Sequence, residues 1–246
     1  MKYFVVSDIH GCFGSLILAL IKAGYNQNNP NHTLIVLGDI LDRGREPIQV
    51  YLFLRSIPEH RLILVRGNHE DMLIMAVEQG LDDVADVENG VAQTISDITG
   101  ISMNALKRYI GKPVLPMLNH PIYRYIRSSR WFQFIEIGNF IFTHSYIPTK
   151  DGQYLPNWRT ISKYNPLWEE AHFVDADREL ASGSFNPEIE NDKILVSGHR
   201  PTSYLHEKYS NLKDNDSIFY GKNYVCIDGS VYQSGRLNVF TFESDE

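Results

Sequence analysis

The sequence predicts an α/β protein built on a parallel sheet, and three observations carry that prediction. Through the first third, apolar runs of strand length alternate with runs of helical spacing. Each of the first three strand-like runs breaks off into a polar cluster with a glycine in it. The 246-residue chain is 43% hydrophobic and 22% charged, an ordinary globular composition long enough for one large domain or two small ones.

The elements follow in order. "KYFVVSD" reads as a buried strand, and "GSLILALIKAGY" follows with Leu16, Leu20 and Ala23 at helical spacing. "HTLIVLGD" is a second strand; "EPIQVYLFLRSI" is a second helix with Pro47 in its first turn, where a missing N–H costs nothing. "HRLILVRGN" is a third strand, and "EDMLIMAVEQG" a third helix, acidic at its start and closed by Gly80. Strands alternating with helices imply βαβ units and hence parallel pairing. Residues 81–129 look different, helical or irregular with several prolines, and suggest a cap-like insertion in a single domain spanning 1–246. From Arg130 the pattern turns to strands: "RWFQFIEI" and "FIFTHSYI" flank Gly138-Asn139, a hairpin turn of the primed kind, and "KILVSGH", "NYVCIDGS" and "LNVFTFE" follow.

Bulk properties narrow the function. A net charge of −7 argues against broad nucleic-acid coating. No run approaches the roughly 18 apolar residues of a membrane span, and the four-residue apolar run at the N-terminus is too short for a signal-peptide core. Cys12 and Cys226 are too few for a disulfide framework and match no zinc spacing. The expectation is a soluble, cytoplasmic protein with neither nucleic-acid nor membrane partners.

The chemistry lies at the strand ends. "SDIHG" (7–11), "GDILDRG" (38–44) and "GNHED" (67–71) close the first three strands, and ligands in open parallel sheets bind beyond such ends. Asp39 follows Asp8 by 31 residues and Asn68 follows Asp39 by 29, about one strand–helix unit each time. His144 in "FIFTHS" and His199 in "ILVSGH" end two later apolar runs. The convergent set is Asp8, His10, Asp39, Asn68, His144 and His199, with His69 beside it. Carboxylates and imidazoles together suit a pair of divalent ions about 3.5 Å apart, with manganese, iron or zinc preferred to calcium. Asp39, on the middle unit, is the natural bridging group. Asp8 and His10, at i and i+2, would share one face of an extended chain. Asn68 and His69, as neighbours, would point to opposite sides of one.

These motifs resemble those of the calcineurin-like metallophosphoesterases, and within them the phosphoprotein (serine/threonine) phosphatase branch of bacterial and bacteriophage lambda type. "SDIHG", "GDILDRG", "GNHE", "THS" and "GHRP" stand in that branch's order between Tyr3 and about Phe242, and "NGVAQT" (89–94) resembles its asparagine–glycine segment. The resemblance implies an αββα sandwich, a central mixed β-sandwich with flanking helices. It implies a first metal held by Asp8, His10 and Asp39, and a second by Asp39 (bridging), Asn68, His144 and His199. His69 would be the general acid, oriented by Asp42, and Arg43 would grip the phosphate with Asn68 also contacting substrate. A hydroxide bridging the two metals would attack phosphorus in line while His69 protonates the leaving oxygen. The implied function is a metal-dependent, most readily manganese-dependent, phosphomonoesterase acting on phosphoserine or phosphothreonine in proteins or on small phosphoesters. The rival enzyme is a dinucleoside polyphosphate hydrolase, of a related branch that tends to depart from the Asp42-Arg43-Gly44 pattern. A non-catalytic metal-binding interaction module is the remote alternative; such a chain would have lost His69, Asp42 or a ligand.

Departures from the branch pattern are specific. Ser7 stands where the first motif usually has glycine, and "THSYI" lacks the double glycine of many eukaryotic relatives. A second phosphate-binding arginine is expected near "PLWEEAHF" (166–173), which holds Glu169 and Glu170 but no arginine; Arg159 and Arg178 are the nearby candidates. "GHRP" provides no second histidine, and His206 reads as a surface residue. Between Ile101 and Arg130, Lys107, Arg108, Lys112, Arg124, Arg127 and Arg130 occur without any acidic residue. That block is either an approach for an anionic substrate or a solvated basic face. Tyr123, Tyr125 and Trp131 beside it read as packing residues.

Overall fold

The computed structural model describes residues 1–182, 190 and 192–245. The strands are β1 (Lys2–Val6), β2 (His32–Leu37), β3 (Leu62–Val65), β4 (Phe134–Ile137), β5 (Phe140–Thr143), β6 (Thr149–Lys150), β7 (Gln153–Tyr154), β8 (Ile194–Ser197), β9 (Phe219–Gly221), β10 (Tyr224–Cys226) and β11 (Phe240–Glu243). The helices are α1 (Phe13–Ala23), α2 (Pro47–Ser56), α3 (Asn68–Gln79), α4 (Ala85–Glu88), α5 (Val91–Thr99), α6 (Met103–Leu106), α7 (Leu115–Leu118), α8 (Pro121–Arg127), α9 (Pro166–Phe173), α10 (Ala176–Ser182), α11 (Thr202–Ser210) and α12 (Val231–Ser234).

Two mixed sheets carry the fold. In the first, ordered β11-β1-β2-β3, the three N-terminal strands are parallel and β11 lies antiparallel at the edge. In the second, ordered β4-β5-β8-β10-β9, the central three are parallel and both edges antiparallel. Strand periodicity of two explains how they stack. Phe4, Val6, Leu34, Val36 and Leu64 face a core shared with the flanking helices. Their neighbours Tyr3, Val5, Ile35, Leu37 and Val65 face Phe142, Val196 and Val225 of the second sheet. Ile141, Leu195 and Cys226 point the other way, onto a third core with Trp158 and Trp168. Strands covered on both faces read as unbroken apolar runs, as they do in the sequence. The architecture is the predicted sandwich of two sheets between helices.

One local expectation changes, that for His206. The segment 81–129 is helical, but Val91, Ile95, Val114, Met117 and Ile122 join the same core as Leu16 and Leu34, so it packs onto the main body. Three of the six residues of the basic block are engaged at the surface: Arg127 bonds Glu78, Arg130 bonds Glu59 and Arg124 bonds Asn119. Tyr123, Tyr125 and Trp131 are buried, as packing residues. His206 is buried rather than exposed, its Nε2 3.1 Å from the Ser217 carbonyl oxygen. The hairpin follows expectation, with Ile137 opposite Phe140 and Gly138 at φ +54°. Among the described residues no helix is long and apolar enough to cross a membrane.

Candidate metal centre

The ends of β1, β2 and β3 in one sheet meet the ends of β5 and β8 in the other, and the predicted cluster forms there. Its backbone is unusual. Twelve non-glycine described residues have positive φ, and six of them are Asp8, His10, Asp39, Asp42, Arg43 and His199. Left-handed backbone costs about 1–3 kcal/mol per residue and persists only where surrounding structure imposes it. The strand-end turns therefore hold side chains in positions an unstrained chain would not give. Two sequence expectations about extended chain fail here. Asp8 and His10 lie beyond β1 in this turn, not on one face of an extended strand. Asn68 and His69 open α3 rather than continuing β3, so their divergence comes from the helical rotation. Close approach also requires glycine at Gly67 and Gly198: a Cβ at Gly67 would lie 2.4 Å from Asp39 Oδ1, and one at Gly198 2.0 Å from Asp8 Oδ2.

Asp39 sits at the middle. His10 Nε2 and His69 Nε2 lie 3.7 and 3.9 Å from its Oδ2, and His144 Nε2 lies 3.5 Å from its Oδ1. Asn68 Oδ1 is 2.8 Å from His144 Nε2 and 3.1 Å from His199 Nδ1. Asp8 Oδ2 accepts from the His199 backbone N–H at 2.9 Å, tying the two sheets together. His69 turns its other nitrogen away: Nδ1 is 2.7 Å from Asp42 Oδ2, and both side chains are buried. Arg43 donates to His10 Nε2 and His69 Nε2, each at 3.0 Å.

The electrostatics are those of a cation site. Burial pushes His10, His69 and His199 well below the usual imidazole range and His144 down to about 4, so these rings are neutral. Burial, with the charges of Asp8 and Glu70, pushes Asp39 well above the carboxylate range; burial raises Asp8 to about 6. Lone pairs face the centre by default. His10 Nδ1 is 3.1 Å from the Leu41 carbonyl and His144 Nδ1 is 2.8 Å from the Leu37 carbonyl. A carbonyl only accepts, so each Nδ1 carries the proton and each Nε2 presents a lone pair toward Asp39. Acceptors converging on a buried carboxylate fit divalent ions, which reverse the cost of bringing them together. Two groups of ligand atoms, each within 4.8 Å of one another, could hold such ions: His10, Asp39 and His69, and Asp39, His144 and His199. Asp39 belongs to both.

Sequence reasoning missed Glu70. It is buried, and its carboxylate accepts from the backbone N–H groups of Asp39 (2.9 Å), Ile40 (3.0 Å) and Gly67 (2.8 Å). One side chain thus clamps the β2 turn to the start of α3. The available clue was an acid at the third position of a helix after glycine, the pattern of an N-terminal cap. The Asn89-Gly90 segment also gains a role: a Cβ at Gly90 would lie 2.5 Å from Arg43 N, so glycine lets α5 press on the Arg43 turn. Neither candidate second arginine joins the cluster. Arg159 pairs with Glu136 and Glu190, and Arg178 is exposed beside Asp175. In α9 the chain instead has His172, bonded to Asp71 at 2.8 Å and standing edge-on to His144.

The chain is 25% identical over 216 residues to the asymmetrical bis(5'-nucleosyl)-tetraphosphatase PrpE of Bacillus velezensis, covering 82% of this chain and 78% of that protein. It is 34% identical over 83 residues to a symmetrical bis(5'-nucleosyl)-tetraphosphatase of Buchnera aphidicola, covering 34% of this chain and 29% of that one. Its fold is similar to the structure of a protein serine/threonine phosphatase from Saccharomyces cerevisiae, with a TM-score of 0.56 at 16% identity, over 100% of this chain and 81% of the other. Residues 1–231 match the family model for calcineurin-like phosphoesterases. With that match across a site of clustered aspartates and histidines, the chain belongs to the calcineurin-like phosphoesterase family and is a hydrolase of phosphoric esters.

Proposed function

We propose that the chain cleaves phosphoryl compounds by direct in-line displacement, with manganese as the metal in both positions. Asp8, His10 and Asp39 would hold one ion, and Asp39, Asn68, His144 and His199 the other. When bound, the ions supply a water acidic enough to attack at neutral pH and positive charge for the phosphoryl oxygens. Arg43 holds two phosphoryl oxygens with its planar fork, which a lysine could not do. Asp42 holds Nδ1–H of His69 and would stabilise its imidazolium, so a proton that the neutral ring takes up at Nε2 from the substrate or solvent can be passed on to the leaving oxygen. The observation carrying this reading is the buried Asp42–His69 pair, 2.7 Å apart, with His10, His144 and His199 gathered around Asp39 next to it.

Dinucleoside polyphosphates are the first substrate class. The similarity to the Bacillus velezensis tetraphosphatase over 82% of the chain supports this choice. A phosphoserine or phosphothreonine protein is the second reading, and the same Asp42–His69 pair favours it, because proton delivery matters most when the leaving group is an alkoxide. A cytoplasmic setting suits both and agrees with two unpaired cysteines. A manganese-supplemented assay separates the readings using diadenosine tetraphosphate, a phosphothreonine peptide and p-nitrophenyl phosphate. Turnover of the peptide without the dinucleotide would remove the first reading; the reverse would remove the second. No turnover of any of the three would sink the hydrolytic mechanism itself.

A further inference from the structure

A cleft of about 580 Å³ opens outward from His10, Arg43 and His199. Its outer part is built from groups that the hydrolytic step does not use. Arg45, two residues beyond Arg43, lines it and is exposed, and among the described residues no carboxylate pairs with it. Tyr232 on α12 lines one wall and Val87 on α4 another, 56% and 49% exposed. Tyr232 also has no hydrogen-bond partner among the described residues. Arg45, Tyr232 and Val87 therefore offer one cleft a cation, an aromatic ring and an aliphatic side chain, all open to solvent. The cleft wall also carries Glu88 and Gln233, which offer acceptor and donor atoms near the same opening.

Beyond the phosphorus under attack, a ligand filling this cleft meets the Arg45 cation, the exposed Tyr232 ring and Val87, along with the carboxylates of Glu88 and Asp228. A phosphorylated side chain in a peptide ends at its one phosphate; a nucleotide joined through a phosphate chain has further negative charge and then a flat ring. We infer that the outer cleft is a nucleotide subsite, in which Arg45 takes a phosphate next to the one held by Arg43 and the base stacks on Tyr232 against Val87. Stacking on an aromatic side chain is tolerant of base identity, so the site would select nucleotides as a class rather than adenine. This inference rests on the proposed hydrolysis of dinucleoside polyphosphates.

The test compares Arg45→Ala, Tyr232→Ala and Tyr232→Phe with the unaltered enzyme. The readout is the ratio of kcat/KM on diadenosine tetraphosphate to that on p-nitrophenyl phosphate. Calorimetry gives a second readout, the Kd of a non-hydrolysable methylene-bridged diadenosine tetraphosphate analogue. The expected result is a ratio lowered about tenfold by each alanine, a Kd weakened to match, and recovery with phenylalanine, which keeps the ring. An unaltered enzyme that turns over p-nitrophenyl phosphate but neither cleaves the dinucleotide nor binds its analogue removes the substrate reading, and the subsite with it. An enzyme that cleaves the dinucleotide with a ratio indifferent to both alanines overturns the subsite alone. Equal losses on a phosphothreonine peptide would also overturn it, leaving only a general anion path.

Discussion

Two buried polar clusters in this protein look alike in composition and behave oppositely. At the strand ends, Asp39 is surrounded by imidazole lone pairs and further carboxylates, and its carboxyl is pushed well above the usual range. Behind the second sheet, Glu190 is equally buried, but Tyr154, Trp158 and Arg159 all donate to it. Burial alone would raise Glu190 too; those donors outweigh it and hold the carboxyl below its ordinary 4.5. One cluster is satisfied by the chain itself and ties β6–β7 and the following turn to the body. The other gathers imidazole and carboxylate acceptors around Asp39 on left-handed backbone, with Arg43 the cation beside them. The difference separates a carboxylate satisfied by donors of its own chain from one set among further acceptors.

The sharpest way to break the comparison is at its catalytic end. His69→Ala is expected to retain both metals while kcat falls by about 10²–10⁴, the usual worth of a positioned acid. Metal content and turnover measured on one preparation check it; loss of an ion would make His69 a ligand instead of an acid. Asn68→Ala should do the converse and weaken one ion. Glu190→Ala tests the structural cluster. It should destabilise by about 2–3 kcal/mol in urea unfolding, less than the roughly 3–5 of a fully buried pair, because Arg159 is partly exposed and keeps Glu136. Activity per folded molecule should hold.

Smaller effects sharpen the boundary between the two clusters. Glu70→Gln places an amide donor against backbone N–H groups that now donate to a carboxylate. Metal affinity should drop by about ten- to a hundredfold, read by metal titration, although Glu70 is not itself expected to bind metal. Smallest is a pH effect. Because the folded carboxyl of Glu190 titrates below its unfolded value, the unfolded chain binds more protons in that window. Its contribution to stability is full above about 4.5 and is lost as pH falls through the lowered folded value. The stability gap between the unaltered protein and Glu190→Gln should therefore narrow on acidification below that point; a gap that widens would contradict the donor arrangement around Glu190.

The sequence alone determined the layered α/β class, the three strand-end motifs and the residues that meet at Asp39. It could do so because each depends on local pattern: unbroken apolar runs mean strands covered on both faces, and polar residues at their ends mark where ligands bind. Tertiary structure decided the rest. The left-handed turns at Asp8, His10 and Asp39 are imposed by neighbours that periodicity does not register. Glu70 has the pattern of an ordinary helix cap until the β2 turn is placed against it. Arg159 resembled a substrate-binding candidate until Glu136 and Glu190 were brought beside it, and Arg45 and Tyr232 are ordinary surface residues until the cleft joins them. These are contacts between segments far apart in the chain, and packing selects them.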